Sequence, residues 1–253
     1  MTLQACADLV ARGDPDRFAA VMAAPVAMRG RLFVLYAFNL EVARAPWVTR
    51  EPLIAEMRLQ WWRDVVAEPT ARAHEVAGPL WGLIRDASLP VAVLDSLIAA
   101  RRWDIYTEPF ADTAAFAAYL EDTAAGMMWL AAKACGATDA AEPMVRSYGW
   151  AQGLANFLRA VPDLVARGRV PLLDNRATAI TALAQSGLSK IATARAGRRL
   201  VGQAAPALLA GWQAERLLRQ VLADPSVVTQ GGMGQSEFSR RGGLAWQSIT
   251  GRW

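Results

Sequence analysis

Apolar and polar positions follow one another along this chain with the spacing of helices, and no run of β-branched residues alternates for long enough to defend a strand. Alanine, leucine, arginine and glutamate, all cheap to place in a helix, make up much of the periodic stretches. Thirteen prolines punctuate them, mostly where a helix should begin or end. Asp14-Pro15, Leu89-Pro90 and Glu142-Pro143 each fit a cap or preceding residue followed by proline at the first helical position, where its missing N–H costs nothing. The pattern predicts helices near residues 15–23, 26–45, 50–67, 75–86, 90–107, 112–135, 142–166, 189–222 and 236–250. This is an all-α fold with no fixed-period repeat, and a length of 253 residues suits one domain spanning 1–253.

Within that pattern the run from Tyr148 to Asp174 is the most specific. The run keeps Gln152, Asn156, Leu158, Arg159, Val161, Gly168 and Arg169 of a pattern close to Gln-Leu-Thr-Asn-x-Leu-Arg-Asp-Val-x-Glu-Asp followed by Gly-Arg-x-x-Leu-Pro. This resembles the second motif of the squalene/phytoene synthase family. Leu35-Tyr-Ala-Phe38 resembles the opening of that family's first aspartate-rich motif, and Trp61-Trp-Arg-Asp64 its Trp-Arg segment. Leu89-Pro90 through Asp104 is similar to the next helix, and Tyr119 through Gly126 to its Tyr-x-x-x-Thr-Ala-Gly pattern. The likeness covers roughly residues 30–175 in the family's order, and implies an isoprenoid-synthase-like helical bundle around a central cavity.

The departures from the family are as specific as the matches. Ala43-Arg-Ala-Pro-Trp47 stands where the family has Asp-Asp-x-x-Asp, and Ala160 and Leu164 replace the two aspartates of the second motif. Magnesium takes oxygen ligands and reaches phosphates through protein carboxylates, so their loss bears directly on ionising a diphosphate. A unit charge pair at 4 Å is worth roughly 4 kcal/mol at an effective dielectric of about 20, and about 1.4 kcal/mol of barrier is tenfold in rate. Losing one such contact thus costs on the order of a thousandfold. Arg44 puts a cation where an anion is expected; it would repel magnesium but could fork onto phosphate oxygens itself.

The resemblance therefore implies no catalytic residue and no metal ligand. It implies instead a substrate-binding set of Asn39, Arg44, Tyr119, Thr123, Gln152, Asn156, Arg159, Asp163 and Arg167, on faces the family turns inward. Two readings of these polar groups stand open: a ligand site, or a closed hydrogen-bonded network. Asp163 lies four residues from Arg159 and should pair with it. Pro162 should either kink the helix or end it. Trp47, Trp103, Trp129 and Trp150 either pack the core or narrow a tunnel meant for long tails.

Tyr36-Ala-Phe-Asn-Leu-Glu41 with Arg58-Leu-Gln-Trp-Trp-Arg63 is similar to the branch of the family that includes a mitochondrial respiratory complex I assembly factor and also lacks the aspartates. The functional expectation is a non-catalytic scaffold that binds an isoprenoid diphosphate or lipid-like ligand and meets a protein partner at a membrane surface, without a cofactor. The competing expectation is an active head-to-head prenyltransferase using magnesium held by Glu41, Asp163, Asp174 or other acids in unusual positions.

Composition trims the remaining classes. The net charge of +4 and pI near 9.5 favour anionic partners, but the basic residues are not clustered among aromatics as nucleic-acid binding would want. Cys6 and Cys135 are too few for a disulfide framework or zinc site and read as buried thiols in a reducing compartment. The first residues lack the build of a signal peptide and no apolar run spans a membrane, which predicts a cytoplasmic protein, and the resemblance to the assembly-factor branch implies a peripheral place at the inner membrane face. The single histidine, His74, reads as a surface residue, and Gly231-Gly-Met-Gly234 as a connector to a last helix capped by Ser236.

Overall fold

In the computed structural model, which describes residues 3–68 and 70–253, every regular element is helical and the described residues contain no strand. The helices are α1 (Leu3–Gly13), α2 (Pro15–Ala23), α3 (Val26–Arg44), α4 (Pro52–Ala67), α5 (Ala77–Asp86), α6 (Val91–Ala100), α7 (Thr113–Leu120), α8 (Gly126–Ala134), α9 (Glu142–Ala166), α10 (Ala177–Ala196), α11 (Arg198–Val201), α12 (Ala214–Ala223), α13 (Val227–Gln230) and α14 (Glu237–Thr250). A 3₁₀ turn, Arg101–Asp104, follows α6, and a π-helical turn, Glu121–Ala125, joins α7 to α8. The all-α expectation holds, and two of the predicted caps form: Asp14 accepts from the Arg17 N–H at 3.0 Å, and Ser236 from that of Ser239 at 3.3 Å, whereas Pro90 itself stands at the cap of α6 and Glu142 is already the first residue of α9.

Two helices carry the core. In α3 the run Leu32–Leu40 is buried all round, as expected of a helix enclosed by others. In α9 the run Tyr148–Ala155 is buried against the π turn, α8 and α10. Gly149 and Gly153 permit that approach: a Cβ on Gly149 would sit 2.9 Å from the Ala125 Cα, and one on Gly153 only 2.3 Å from the Ala124 Cβ. α9 continues through Pro162 to Ala166, so proline does not end it there.

Three readings of the pattern need correction. α1 was not anticipated, because only Cys6 and Val10 of its residues are fully buried, against α3, leaving a stripe too thin to register. The single helix expected over 189–222 is α10, α11, a 3₁₀ segment Gly202–Gly211 and α12. Gly202 takes φ +54° and Pro206 removes a donor inside that segment, which a continuous α-helix would not tolerate. His74 is half-buried rather than on the surface; its Nδ1 accepts from the N–H groups of Val76 and Ala77 at 3.2 and 3.3 Å, and its ring packs on Trp61 and Trp62. The imidazole thus caps α5.

Both cysteines are buried and unpaired, and burial pushes each thiol from about 9 up to about 11. Two units of pKa are a hundredfold in thiolate, the species that reacts. Alkylation of the native protein at pH 8 should therefore be roughly a hundredfold or more slower than in denaturant, read by mass spectrometry. These thiols contribute full stability below their unfolded value near 9 and lose it as pH rises toward about 11, since only the unfolded chain then ionises them.

Candidate anion cleft between α3 and α9

A cleft of about 480 Å³ opens between the C-terminal end of α3, the middle of α9, the π turn and the 3₁₀ turn after α6. α3 contributes Ala43, with Trp47 just beyond it; α9 contributes Gln152, Asn156, Ala160, Asp163 and Leu164, and Arg167 follows its end. Successive α9 positions three and four apart share one helix face, which is why a sequence run so widely spaced meets in one place. The end of α7 sets Tyr119, and the π turn Thr123 and Ala124, on the opposite wall, where the Thr123 hydroxyl donates to the Tyr119 carbonyl at 2.6 Å.

Of the nine predicted site residues, Tyr119, Thr123, Gln152, Asn156, Asp163 and Arg167 line this cleft. Three do not. Asn39 is buried in the core, with its Oδ1 unpartnered among the described residues. Arg44 follows Ala43 by one residue, about 100° around the helix, and its guanidinium lies against Gly13 of α1. Arg159 leaves the cleft for a small neighbouring hollow, where it donates to Asp16 at 3.3 Å and to the Asn156 Oδ1 at 3.4 Å. The expected Arg159–Asp163 pair does not form, since Asp16 of α2 competes for the guanidinium.

The cations the cleft does contain are Arg17, Arg101 and Arg167. Arg17 and Arg101 were missed because their places depend on packing between distant segments. Arg17, in the first turn of α2, lies over the Tyr36 ring and 3.4 Å from Asp14. Arg101 donates to the Tyr119 oxygen at 2.9 Å and to Asp104 Oδ2 at 3.2 Å, while the Tyr119 hydroxyl donates to Asp104 Oδ1 at 3.1 Å. Burial pushes the Asp104 carboxyl up against the pull of Arg101, and the Tyr119 hydroxyl up as well. Arg167 stacks on Trp47 at 4.8 Å. Three arginines against Asp104 and Asp163 leave the lining one formal charge positive.

Among the four tryptophans weighed as cavity residues, only Trp47 lines the cleft. Trp129 and Trp150 are core, and Trp103 stacks on Phe110 at 4.0 Å in a block with Phe116, Tyr119 and Phe157. Of that block, Tyr119 and Phe157 line the cleft.

The places where a metal-dependent bundle would hold its carboxylates are Ala43, Arg44, Trp47, Ala160 and Leu164, and all but Arg44 face the cleft. None can ligate magnesium. Asp104 is committed to Arg101 and Tyr119, leaving Asp163 as the single free acid in the lining among the described residues. No group of three or more His, Cys, Asp or Glu side chains converges among the described residues. Of the acids considered in unusual positions, Glu41 is not in the lining, and Asp174 is held by Arg176 at 2.5 Å beside a different groove. The residues present do not fit a magnesium–diphosphate site.

The squalene/phytoene synthase family model matches residues 10–235. The chain belongs to the squalene/phytoene synthase family. Its fold superposes on a dehydrosqualene synthase solved with a ligand, at TM-score 0.79 and 14% identity over 98% of this chain and 95% of that one. Squalene synthase HpnC from Alicyclobacillus acidocaldarius matches at TM-score 0.60 and 19% identity, over 98% and 94%. Among curated proteins, NADH dehydrogenase (ubiquinone) complex I, assembly factor 6 of Bos taurus is 27% identical over 169 residues, 65% of this chain and 51% of the relative. The Drosophila melanogaster homolog is 29% identical over 178 residues, 66% and 53%. The chain spans about half the length of the curated relatives it matches.

Proposed function

We propose that this chain is a non-catalytic member of its family: a helical scaffold whose cleft takes the anionic head of an isoprenoid- or lipid-like ligand without metal, and which acts in the assembly of a membrane complex. The observation that carries the reading is the cleft lining itself, where Ala43, Trp47, Ala160 and Leu164 occupy the metal-ligand positions and Arg17, Arg101 and Arg167 supply positive charge. Guanidinium groups bind phosphate oxygens directly, in pairs of parallel hydrogen bonds, so charge neutralisation does not require a divalent ion. Binding alone then follows, because no acid is arranged to draw a diphosphate off its carbon. The assembly role rests on the likeness to complex I assembly factor 6, and the place of work at a membrane follows from it.

Incubation with farnesyl or geranylgeranyl diphosphate and magnesium should release no pyrophosphate and form no squalene or phytoene above an enzyme-free control; either product would overturn the non-catalytic reading. Calorimetric titration of inorganic pyrophosphate without metal tests the cleft. A charge-assisted hydrogen bond is worth about 1.5–3 kcal/mol, so Arg17→Ala should weaken binding roughly 10- to 100-fold. Arg44→Ala, outside the lining, should leave the isotherm unchanged. Equal affinity for wild type and Arg17→Ala would remove the cleft as the anion site.

A further inference from the structure

The last helix has two faces of opposite purpose. Its inner face holds it to the body: Leu244 is buried, Gln247 donates to the Trp212 carbonyl at 3.2 Å, Ser248 to that of Ala23 at 3.0 Å, and Arg240 pairs with Asp16. At 100° per residue, Phe238, Ala245 and Ile249 fall on the opposite side, with Trp246 beside them. There Phe238 is 90% exposed, Ile249 84% and Trp246 62%. A water-facing helix face ordinarily carries polar side chains, and a contiguous stripe of large apolar groups marks a surface that meets something.

Charge indicates what it meets. The only acid on α14 is Glu237, at its first turn and paired with Arg240 and Arg241. At the other end Trp246 shares a hollow of about 420 Å³ with Arg195, Arg198 and Arg252. Arg198 and Arg252 are exposed and form no ion pair among the described residues. An amphipathic helix with aromatic and aliphatic groups on one face and unpaired arginines at its edge has the build of an element lying in a lipid interface, where apolar groups enter the acyl boundary and cations meet phosphate. α14 also lies beyond residues 10–235, so the family match says nothing of this face.

We infer that the outward face of α14, with Arg198 and Arg252, docks the protein on an anionic phospholipid bilayer. This deepens the membrane part of the proposed function but is independent of whether the cleft is catalytic, so vesicle binding and product formation fail separately. The test is sedimentation of the whole chain with vesicles of phosphatidylcholine alone or mixed with phosphatidylglycerol. The chain should pellet with the mixed vesicles, much less with the neutral ones, and be released by salt. The triple variant Phe238→Ser/Trp246→Ser/Ile249→Ser and the pair Arg198→Glu/Arg252→Glu should each lower the partition coefficient about tenfold or more. All five side chains are exposed, so both variants should keep wild-type circular dichroism. Leu53→Ser on α4, at a site 72% exposed, serves as comparison. Undiminished pelleting of the triple variant, an equal loss in Leu53→Ser, or a dimer in light scattering that the triple variant abolishes would each overturn the assignment.

Discussion

Replacing Asp104 by alanine lowers the folding free energy by about 3–5 kcal/mol, the cost of breaking a buried ion pair from one side. Asp104 is 5% exposed and accepts from both Arg101 and the Tyr119 hydroxyl, so its removal leaves the Arg101 charge without its paired carboxylate and the Tyr119 proton without its acceptor, although Arg101 still donates to the Tyr119 oxygen. The Arg101 side chain is 17% exposed toward the cleft, and water entering there should hold the loss near the lower end of that range. Arg169 donates to the main-chain carbonyls of Trp103, at 2.9 Å, and Asp104, bonds that the substitution leaves in place, so the 3₁₀ turn stays tied to the segment after α9. Urea denaturation of Asp104→Ala measures the loss. Adding Arg101→Met should recover part of it, since an apolar group of similar length leaves no orphaned charge. A single variant as stable as wild type, or a double variant less stable than the single, would contradict this account of the wall.

What the sequence made legible about this site was its helical frame. Gln152, Asn156, Ala160, Asp163 and Arg167 follow one another at three and four residues, so one helix face could be drawn without coordinates, and that face is the one that lines the cleft. The four apolar replacements were equally readable, since each is defined by register within a motif. The cations were not. Arg44 and Arg159 sit in or beside those motifs, yet one is turned toward Gly13 and the other captured by Asp16, partners from α1 and α2 that no local spacing predicts. Arg17 and Arg101 occupy the cleft for the converse reason: their neighbours Tyr36 and Tyr119 lie 19 and 18 residues away along the chain. The last third failed on backbone grounds, where the left-handed conformation at Gly202 and the 3₁₀ segment behind it interrupt an apolar pattern that otherwise reads as continuous helix.

A single methyl group should separate two glycines that look alike in sequence. Gly82, in α5, has nothing within 4 Å of where a Cβ would stand, so Gly82→Ala should gain about 0.5–1 kcal/mol from the restricted unfolded chain and better helix propensity. Gly149→Ala receives the same gain and should still lose about 3 kcal/mol overall, at the upper end of the usual cost of overpacking. Its Cβ would stand 2.8 Å from the Met128 Cβ, 2.9 Å from the Ala125 Cα and 3.1 Å from the Ala124 carbonyl oxygen. Two of these three neighbours are main chain, and no rotamer change can move them aside. The strain must push α9 away from the π turn, and those two elements carry Gln152 and Gly153 on one side of the cleft and Thr123 and Ala124 on the other. Gly149→Ala should therefore also weaken pyrophosphate binding, while Gly82→Ala leaves it unchanged. Matched denaturation midpoints for the two variants would mean that close packing at this crossing does not set the cleft's shape.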